Sequence, residues 1–444
     1  MSAEQTIGRL TDLAAMPAAA LPPQARRLAR FSLFDWMVVA RAGADEPVSR
    51  IIRDVVADEG GRPVATVVGA AARAPARAAA LANGTISHAL DYDDTHFAHI
   101  GHLSVGIMPA ALAVAEQCDL PAAQACDAFL IGAEASCRIG MVLGRRHYER
   151  GFHQTATAGA FGATVAAGRL LGLTAAQQRN ALSLVATRAS GLKSQFGSMG
   201  KPFNAGISAA NGVEAAALAA RGFIACDDGI GAVQGFIDTH TDDASEARGW
   251  AAPPPGRFVF EDNKYKLHAC CHGTHAMLNA LAEARRQTDL PADRITRIMV
   301  RTNPRWLHVC DIKAPRTGLE VKFSYAFLAA MALHGVDTAA DRAYVESLGA
   351  DPALIATAQR VVVTGGTEIS DTAVALTLIL ASGERIEVAH DLAAPLSEPQ
   401  LQAGLRAKAR ALLGEAAAEA LWSAVAALDT LTARQLAAHL APAD

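Results

Sequence analysis

The stretch AAPPPG, residues 251–256, decides how the chain divides. Proline fixes φ and lacks a backbone N–H, so Pro253-Pro254-Pro255 fits neither a helix interior nor a central strand. We read a domain boundary here. Residues 1–255, completed by 397–444, form a helical domain; 256–396 form a smaller α+β domain. Upstream the texture is helical. Ala25–Ala40 is strongly apolar, and Ala158–Gly168 is rich enough in Ala and Gly to be a fully buried, closely packed helix. Thr174 with Gln177 has the spacing of a capping box opening a helix over Ala175–Ala186. Asn204–Gly222 reads as another helix, ended by Gly222. Pro63–Gly69 reads as a short strand. Downstream, RITRIMVR (294–301) alternates like a half-buried strand and Arg360–Thr364 is β-branched. Ala373–Ala381 and Arg385–Ala389 flank Ser382-Gly383-Glu384, a hairpin turn. Helices fall between, at His272–Arg286 and Val321–Leu333, and helix returns from 397 to 440. The expected fold class is mainly α: a large all-helical domain with a smaller α+β domain.

Composition narrows the function classes. At 444 residues the chain has room for two or three domains and an ample core. The formal net charge is −4, without a basic block, which speaks against a nucleic-acid partner. The longest apolar runs, Leu103–Ala115 and Ala158–Gly168, fall short of the ~20 residues of a membrane helix. The N-terminus lacks a charged-then-apolar leader pattern. We expect a soluble cytoplasmic protein. Of seven cysteines, Cys118, Cys126, Cys137, Cys226 and Cys310 read as small core residues of a reduced protein. Positive charge is written as 33 Arg and only 7 Lys, and six of the lysines lie between 193 and 322. Lysine is a compact point charge that responds to burial, so these positions draw attention.

The chemistry concentrates in NGTISHALDYDDTHFAHIGHLSVGIMP, residues 83–109. His88, His96, His99 and His102 share it with Asp91, Asp93, Asp94 and Thr95, between apolar helical runs. Enclosed carboxylates and imidazoles tend to mark reaction sites. Asp91-Tyr92-Asp93-Asp94 has the DxDD spacing of a terpene-cyclase acid, but the chain has few aromatics to stabilise a carbocation. His96-x-x-His99-x-x-His102 has helical metal-ligand spacing, and Gly101 argues against that helix. His96 and His99 read better as hydrogen-bonded loop residues than as metal ligands. In KYKLHACCHGTH (264–275), adjacent Cys270 and Cys271 are poorly spaced for zinc. Cys270 reads as core, whereas Cys271, in the company of Lys266 and three histidines, suits a reactive thiol. Gly197-Ser-Met-Gly200-Lys201-Pro202 precedes a helix and suits a carboxylate anion; it is not a Walker A loop. Gly151-Phe-His153-Gln154 places His153 at another helix start.

In order and spacing these segments resemble the MmgE/PrpD family, which includes 2-methylcitrate dehydratase, cis-aconitate decarboxylase and iminodisuccinate epimerase. The resemblance rests on residues 83–95, 101–110, 151–163, 197–223, 266–275 and 317–327, and so runs over nearly the whole chain. It implies a helical domain with an α+β lid and a site between them. It also implies small di- or tricarboxylate substrates, no metal or organic cofactor, and a homodimer. By motif, Asp91, Thr95, His102, His153 and Lys201 match active-site positions of the helical domain; Lys266, Cys271 and Tyr325 match positions of the lid. Two departures stand out. His102-Leu103-Ser104 replaces the family's His-Pro-Ser, and Cys271 stands where the decarboxylase branch has histidine.

These residue types fit α-proton chemistry on a polycarboxylate. Lys201, Lys266, His102 and Thr95 can hold carboxylates, and lysines stabilise the charge that develops on proton removal. Asp91 or His153 is the expected base, and His102 or Tyr325 the expected acid. Loss of hydroxide makes a dehydratase, the leading expectation. Reprotonation on the other face makes an epimerase, with Cys271 as second base. Loss of carbon dioxide makes a decarboxylase. A metal-dependent hydrolase and a non-catalytic binding protein are the readings from other classes.

Overall fold

The structure, a computed structural model, describes residues 4–251, 253, 256–288 and 290–442. Ala252, Pro254 and Pro255 of the proline run lie outside the described residues. The chain forms two compact units: one runs to Tyr265 and resumes at Leu413, the other is Lys266–Leu412. The fold is mainly α with a smaller α+β part.

In the first unit α1 (Glu4–Ala15), α2 (Pro23–Ala42) and α3 (Pro47–Glu59) precede a two-stranded ribbon, β1 (Ala65–Thr66) and β2 (Arg73–Ala74). Then come α4 (Ala76–Ser87), α5 (Ser104–Gln117), α6 (Ala122–Glu149), α7 (Gln154–Leu170), α8 (Ala175–Ala186) and α9 (Gly200–Ala220). Residues 104–116 of α5 and 154–168 of α7 are buried all round, so these helices form the centre. Small residues make that possible. A Cβ on Gly162 would stand 2.5 Å from the Gly132 carbonyl oxygen, and one on Gly132 equally close to that of Gly162, so α6 and α7 cross backbone to backbone. α4 and α9 meet the same way at Gly84 and Gly206. The Thr174 capping box forms, with Gln177 N–H on the Thr174 hydroxyl. α9 begins at Gly200 rather than Asn204, so Lys201 lies in its first turn, where Pro202 costs no hydrogen bond.

In the second unit a four-stranded sheet has the order Val361–Gly365, Ile295–Thr302, Ala373–Leu380, Arg385–Asp391. The first pair is parallel and the others antiparallel. The hairpin closes at Gly383 (φ 85°), whose N–H bonds the Leu380 carbonyl. Ile298, Val300, Leu376 and Leu378 face a core shared with the helices His275–Gln287 and Tyr325–Leu333. The helix expected over Val321–Leu333 is two pieces. Gly318–Val321 is a single turn, and Ser324 then caps the next helix by accepting from Phe327 N–H. His272–Thr274 is a 3₁₀ turn ahead of His275, not its first α turn. Among the described residues no helix is long and apolar enough to cross a membrane.

Candidate active site

Residues 88–103 join α4 to α5 as an irregular loop, pinned at several points. Asp94 accepts from Ser104 N–H (3.0 Å), the Ser104 hydroxyl (2.5 Å) and the Asn263 amide (2.6 Å). Thr95 and Lys264 exchange backbone hydrogen bonds of 2.7 Å each. His102 N–H bonds the Thr155 hydroxyl on α7 (3.0 Å). Two residues have left-handed backbone, Asp91 (φ 50°) and Ile100 (φ 59°). Aspartate tolerates that region; β-branched isoleucine does so only under constraint. The loop therefore holds its shape through long-range bonds, not local preference.

That shape sorts the four histidines. His96 places Nε2 2.9 Å from the Val259 carbonyl and accepts His99 N–H at Nδ1. His99 is fully buried against Gly101 and Gly140, where a Cβ would lie 2.7 and 2.3 Å from its ring nitrogens. Burial pushes its pKa down to about 3. The His96/His99/His102 metal spacing is thus not realised: the segment is not helical, and two of the three rings serve the protein's interior.

His88 and His102 turn instead toward Asp93. The Asp93 carboxylate is fully buried, 2.7 Å from His88 Nδ1 and 2.7 Å from His102 Nδ1. The first contact is an aligned hydrogen bond; the second is a charge contact off the N–H line. Burial opposes ionisation of Asp93, but the His102 and His88 imidazoles outweigh it and hold its carboxyl well below the usual range. Burial lowers the pKa of His88, against the pull of Asp93. His102 Nε2 faces Asp91 Oδ1 at 3.5 Å, and the other Asp91 oxygen lies 2.5 Å from Lys201 Nζ. His153, the N-cap residue of α7, stacks edge-on against Phe196 (4.9 Å) and lies 6.1 Å from His88. Phe196 also sits 5.4 Å below the Lys201 ammonium. Asp91, His102, His153 and Lys201 thus gather in one place, with Thr95 further along the same loop. Asp93 and His88 join them although our reading gave neither a role; the only hint was their membership of the dense 83–109 segment.

Potential ligand atoms of His88, Asp91, Asp93 and His102 lie within 4.8 Å of one another. Their types suit zinc or iron. The Lys201 ammonium on Asp91 already supplies a fixed cation there and repels a dication.

In the second unit Cys271 opens the 3₁₀ turn, its N–H on the Lys322 carbonyl (3.0 Å). A hydrogen bond with Cys271, then burial, pushes the Cys310 thiol well up. Burial pushes Cys270 up to about 12. Lys266 is buried. Tyr325 is fully buried and donates its hydroxyl to the Gly273 carbonyl (2.7 Å), beside Thr302. Its phenol therefore braces the turn that follows Cys271. His268 bonds Thr338 and Asn279, and His275 faces the Cys270 carbonyl, so these rings are engaged by protein groups.

A mainly α protein with an α+β second unit and a His/Asp/Lys cluster at helix starts is the class that emerges. The sequence matches the MmgE/PrpD N-terminal domain over residues 11–247 and the MmgE/PrpD C-terminal domain over residues 268–430, and the chain belongs to the MmgE/PrpD family. A cis-aconitate decarboxylase-like protein, oryM, of Aspergillus oryzae is 26% identical over 284 residues, covering 60% of this chain and 58% of that protein. Cis-aconitate decarboxylase of Aspergillus terreus is 27% identical over 286 residues, covering 60% and 57%. The enzyme of that name from Homo sapiens is 27% identical over 239 residues, covering 52% and 50%. The chain thus spans little more than half the length of these curated relatives.

Proposed function

We propose that the protein is a cofactor-independent lyase that removes an α-proton and then water from a small hydroxy di- or tricarboxylate such as 2-methylcitrate. The observation that carries this reading is the Lys201 ammonium against Asp91, with His102 and His153 beside them. A substrate carboxylate competes with Asp91 for the Lys201 ammonium. Asp91 then faces the α-carbon as base. As the C–H bond breaks, charge moves onto the carboxylate, where Lys201 stabilises it more than in the ground state. The C–O bond to the neighbouring hydroxyl breaks as a C=C bond forms. The leaving hydroxide takes a proton from His102, whose positive form is stabilised by the Asp93 carboxylate behind it. His102 takes this role in preference to Tyr325, whose hydroxyl is committed to Gly273. Thr95 and Lys266 are proposed as carboxylate contacts, and Cys271 as a further acid–base group.

Decarboxylation is the second reading, favoured by the likeness to the A. terreus and human cis-aconitate decarboxylases. Cysteine at 271, where by the family resemblance the decarboxylase branch has histidine, weighs against it. Epimerisation, with Cys271 as second base, shares the same intermediate.

One experiment separates these. Chelator-treated protein is incubated in D2O with 2-methylcitrate, citrate, cis-aconitate and iminodisuccinate and followed by proton NMR. New vinyl signals from a hydroxy acid are expected. Itaconate from cis-aconitate would move the assignment to decarboxylase, and α-deuteration with inversion to epimerase. Activity lost on chelation and restored by zinc would overturn the metal-free reading, and four unchanged tubes the polycarboxylate one.

A further inference from the structure

Asn204 lies in the second turn of α9, buried, with its amide nitrogen 3.1 Å from His153 Nδ1 and 3.2 Å from the Leu192 carbonyl oxygen. A carbonyl oxygen only accepts. The Leu192 contact therefore fixes which end of the amide is nitrogen; the flipped amide would set two acceptors 3.2 Å apart. The amide has two protons. One goes to Leu192, and the other points at His153 Nδ1, which must accept it. Gly191 makes the arrangement possible. Its φ is +151°, and a Cβ there would stand 2.4 Å from the Ala156 Cβ and 3.4 Å from the Asn204 amide. His153 is held on its backbone side too, with its N–H on Gly191 O (3.0 Å). Burial first, then the neighbouring His88, Lys201 and His102 charges, pushes the His153 pKa well below its ordinary value, so the ring is neutral at physiological pH. A neutral ring whose Nδ1 accepts carries its only proton on Nε2.

We infer that Asn204 is a positioning residue that locks His153 as the Nε2–H tautomer, so that His153 donates a hydrogen bond to the substrate and does not act as its base. The catalytic part rests on the polycarboxylate reading above; the tautomer does not. Neutral imidazole is a very weak acid, so Nε2 keeps its proton. It stabilises the oxygen on which charge develops as the C–H bond breaks, and no proton passes through His153. Of the two candidates for base, Asp91 is then the one that remains.

The test is long-range 1H–15N correlation on histidine-labelled protein, with His153 assigned from its disappearance in His153→Phe. Wild type should show a protonated Nε2 and an unprotonated Nδ1 that do not titrate down to about pH 6. Asn204→Asp, the same shape with an acceptor in place of the donor, should move the proton to Nδ1. If the variant turns over the substrate found for wild type, kcat should fall about 10²-fold with little change in KM, as for one lost oxyanion donor. A protonated Nδ1 in wild type overturns the inference, whether or not Asn204→Asp folds. So does an Asn204→Asp protein with the swapped tautomer and undiminished kcat. The spectrum needs no substrate, so a protein inactive on every polycarboxylate would defeat the functional reading while leaving the tautomer decided.

Discussion

Gly206→Ala tests whether the close crossing of α4 and α9 positions the site. In an exposed helix interior, glycine to alanine stabilises by roughly 0.5–1 kcal/mol. At Gly206 the new Cβ would lie 2.2 Å from the Thr85 hydroxyl and 2.4 Å from the Leu81 carbonyl oxygen. The hydroxyl can rotate, at the expense of its bond to that same carbonyl. The carbonyl is helix backbone and cannot. Contacts under 3.0 Å are not sustained by real Cβ atoms, so α4 must retreat by about 0.6 Å. Overpacking of this kind costs about 1–3 kcal/mol. The net loss is about 1–2 kcal/mol, or a fall in melting temperature of roughly 1–3 °C for a unit of this size. The displacement also reaches the chemistry. α4 runs directly into His88, and Lys201 sits about one and a half turns before Gly206 on the other helix. Shifts approaching 1 Å at positioned groups can cost about 10²-fold in rate; we expect at least a tenfold loss of kcat/KM here. Gly8→Ala is the matched control: same change, inside α1, nothing within 4 Å of the new Cβ. It should raise stability by about 0.5 kcal/mol and leave activity alone. Thermal and urea unfolding of both variants, with steady-state kinetics, check the sign of each. A Gly206→Ala protein as stable and active as wild type would refute the close-crossing argument.

Three further outcomes are expected. Lys201→Met removes the cation facing Asp91 and should lower kcat/KM at least about 10²-fold without lowering the melting temperature; calorimetry with a non-reacting tricarboxylate should show its affinity lost in parallel. Glu134 and Arg138 form a buried pair at 2.8 Å, with Glu134 also accepting Phe260 N–H, so Glu134→Ala strands a buried guanidinium and should cost about 3–5 kcal/mol in urea unfolding. His99 is buried neutral with a pKa of about 3 against 6.5 unfolded, so the unfolded chain binds the extra proton. Its contribution to stability is complete above pH 6.5 and is lost as pH falls toward 3, at about 1.4 kcal/mol per pH unit. His99→Leu should flatten the fall in unfolding free energy between about pH 6 and 4 by that slope, and an unchanged slope would show that the ring is not buried neutral.

How much of this was legible in the sequence depended on how far apart the deciding partners lie. The Thr174–Gln177 cap, the Gly383 turn and the alternation of RITRIMVR are settled within a few residues, and each formed where it was read. The break before Ser324 is equally local; the apolar run that follows outweighed its capping signal. In the candidate site, residue types were readable and orientations were not. Four histidines in fifteen residues announced enclosed proton chemistry. Which of them face Asp93 and which face the interior was decided by left-handed backbone at Asp91 and Ile100 and by anchors at Thr155, Val259, Asn263 and Lys264. None of those anchors is near in sequence, and neither left-handed residue is glycine, the one signal that would have marked the turn. The same limit governs function. That His153 is able to take a proton follows from its being histidine. That its Nδ1 is already spoken for follows only from Asn204, fifty-one positions later, and from the Leu192 carbonyl that orients the amide. Choosing between base and donor is therefore a question about tertiary hydrogen bonds, and a motif match carrying the same histidine cannot answer it.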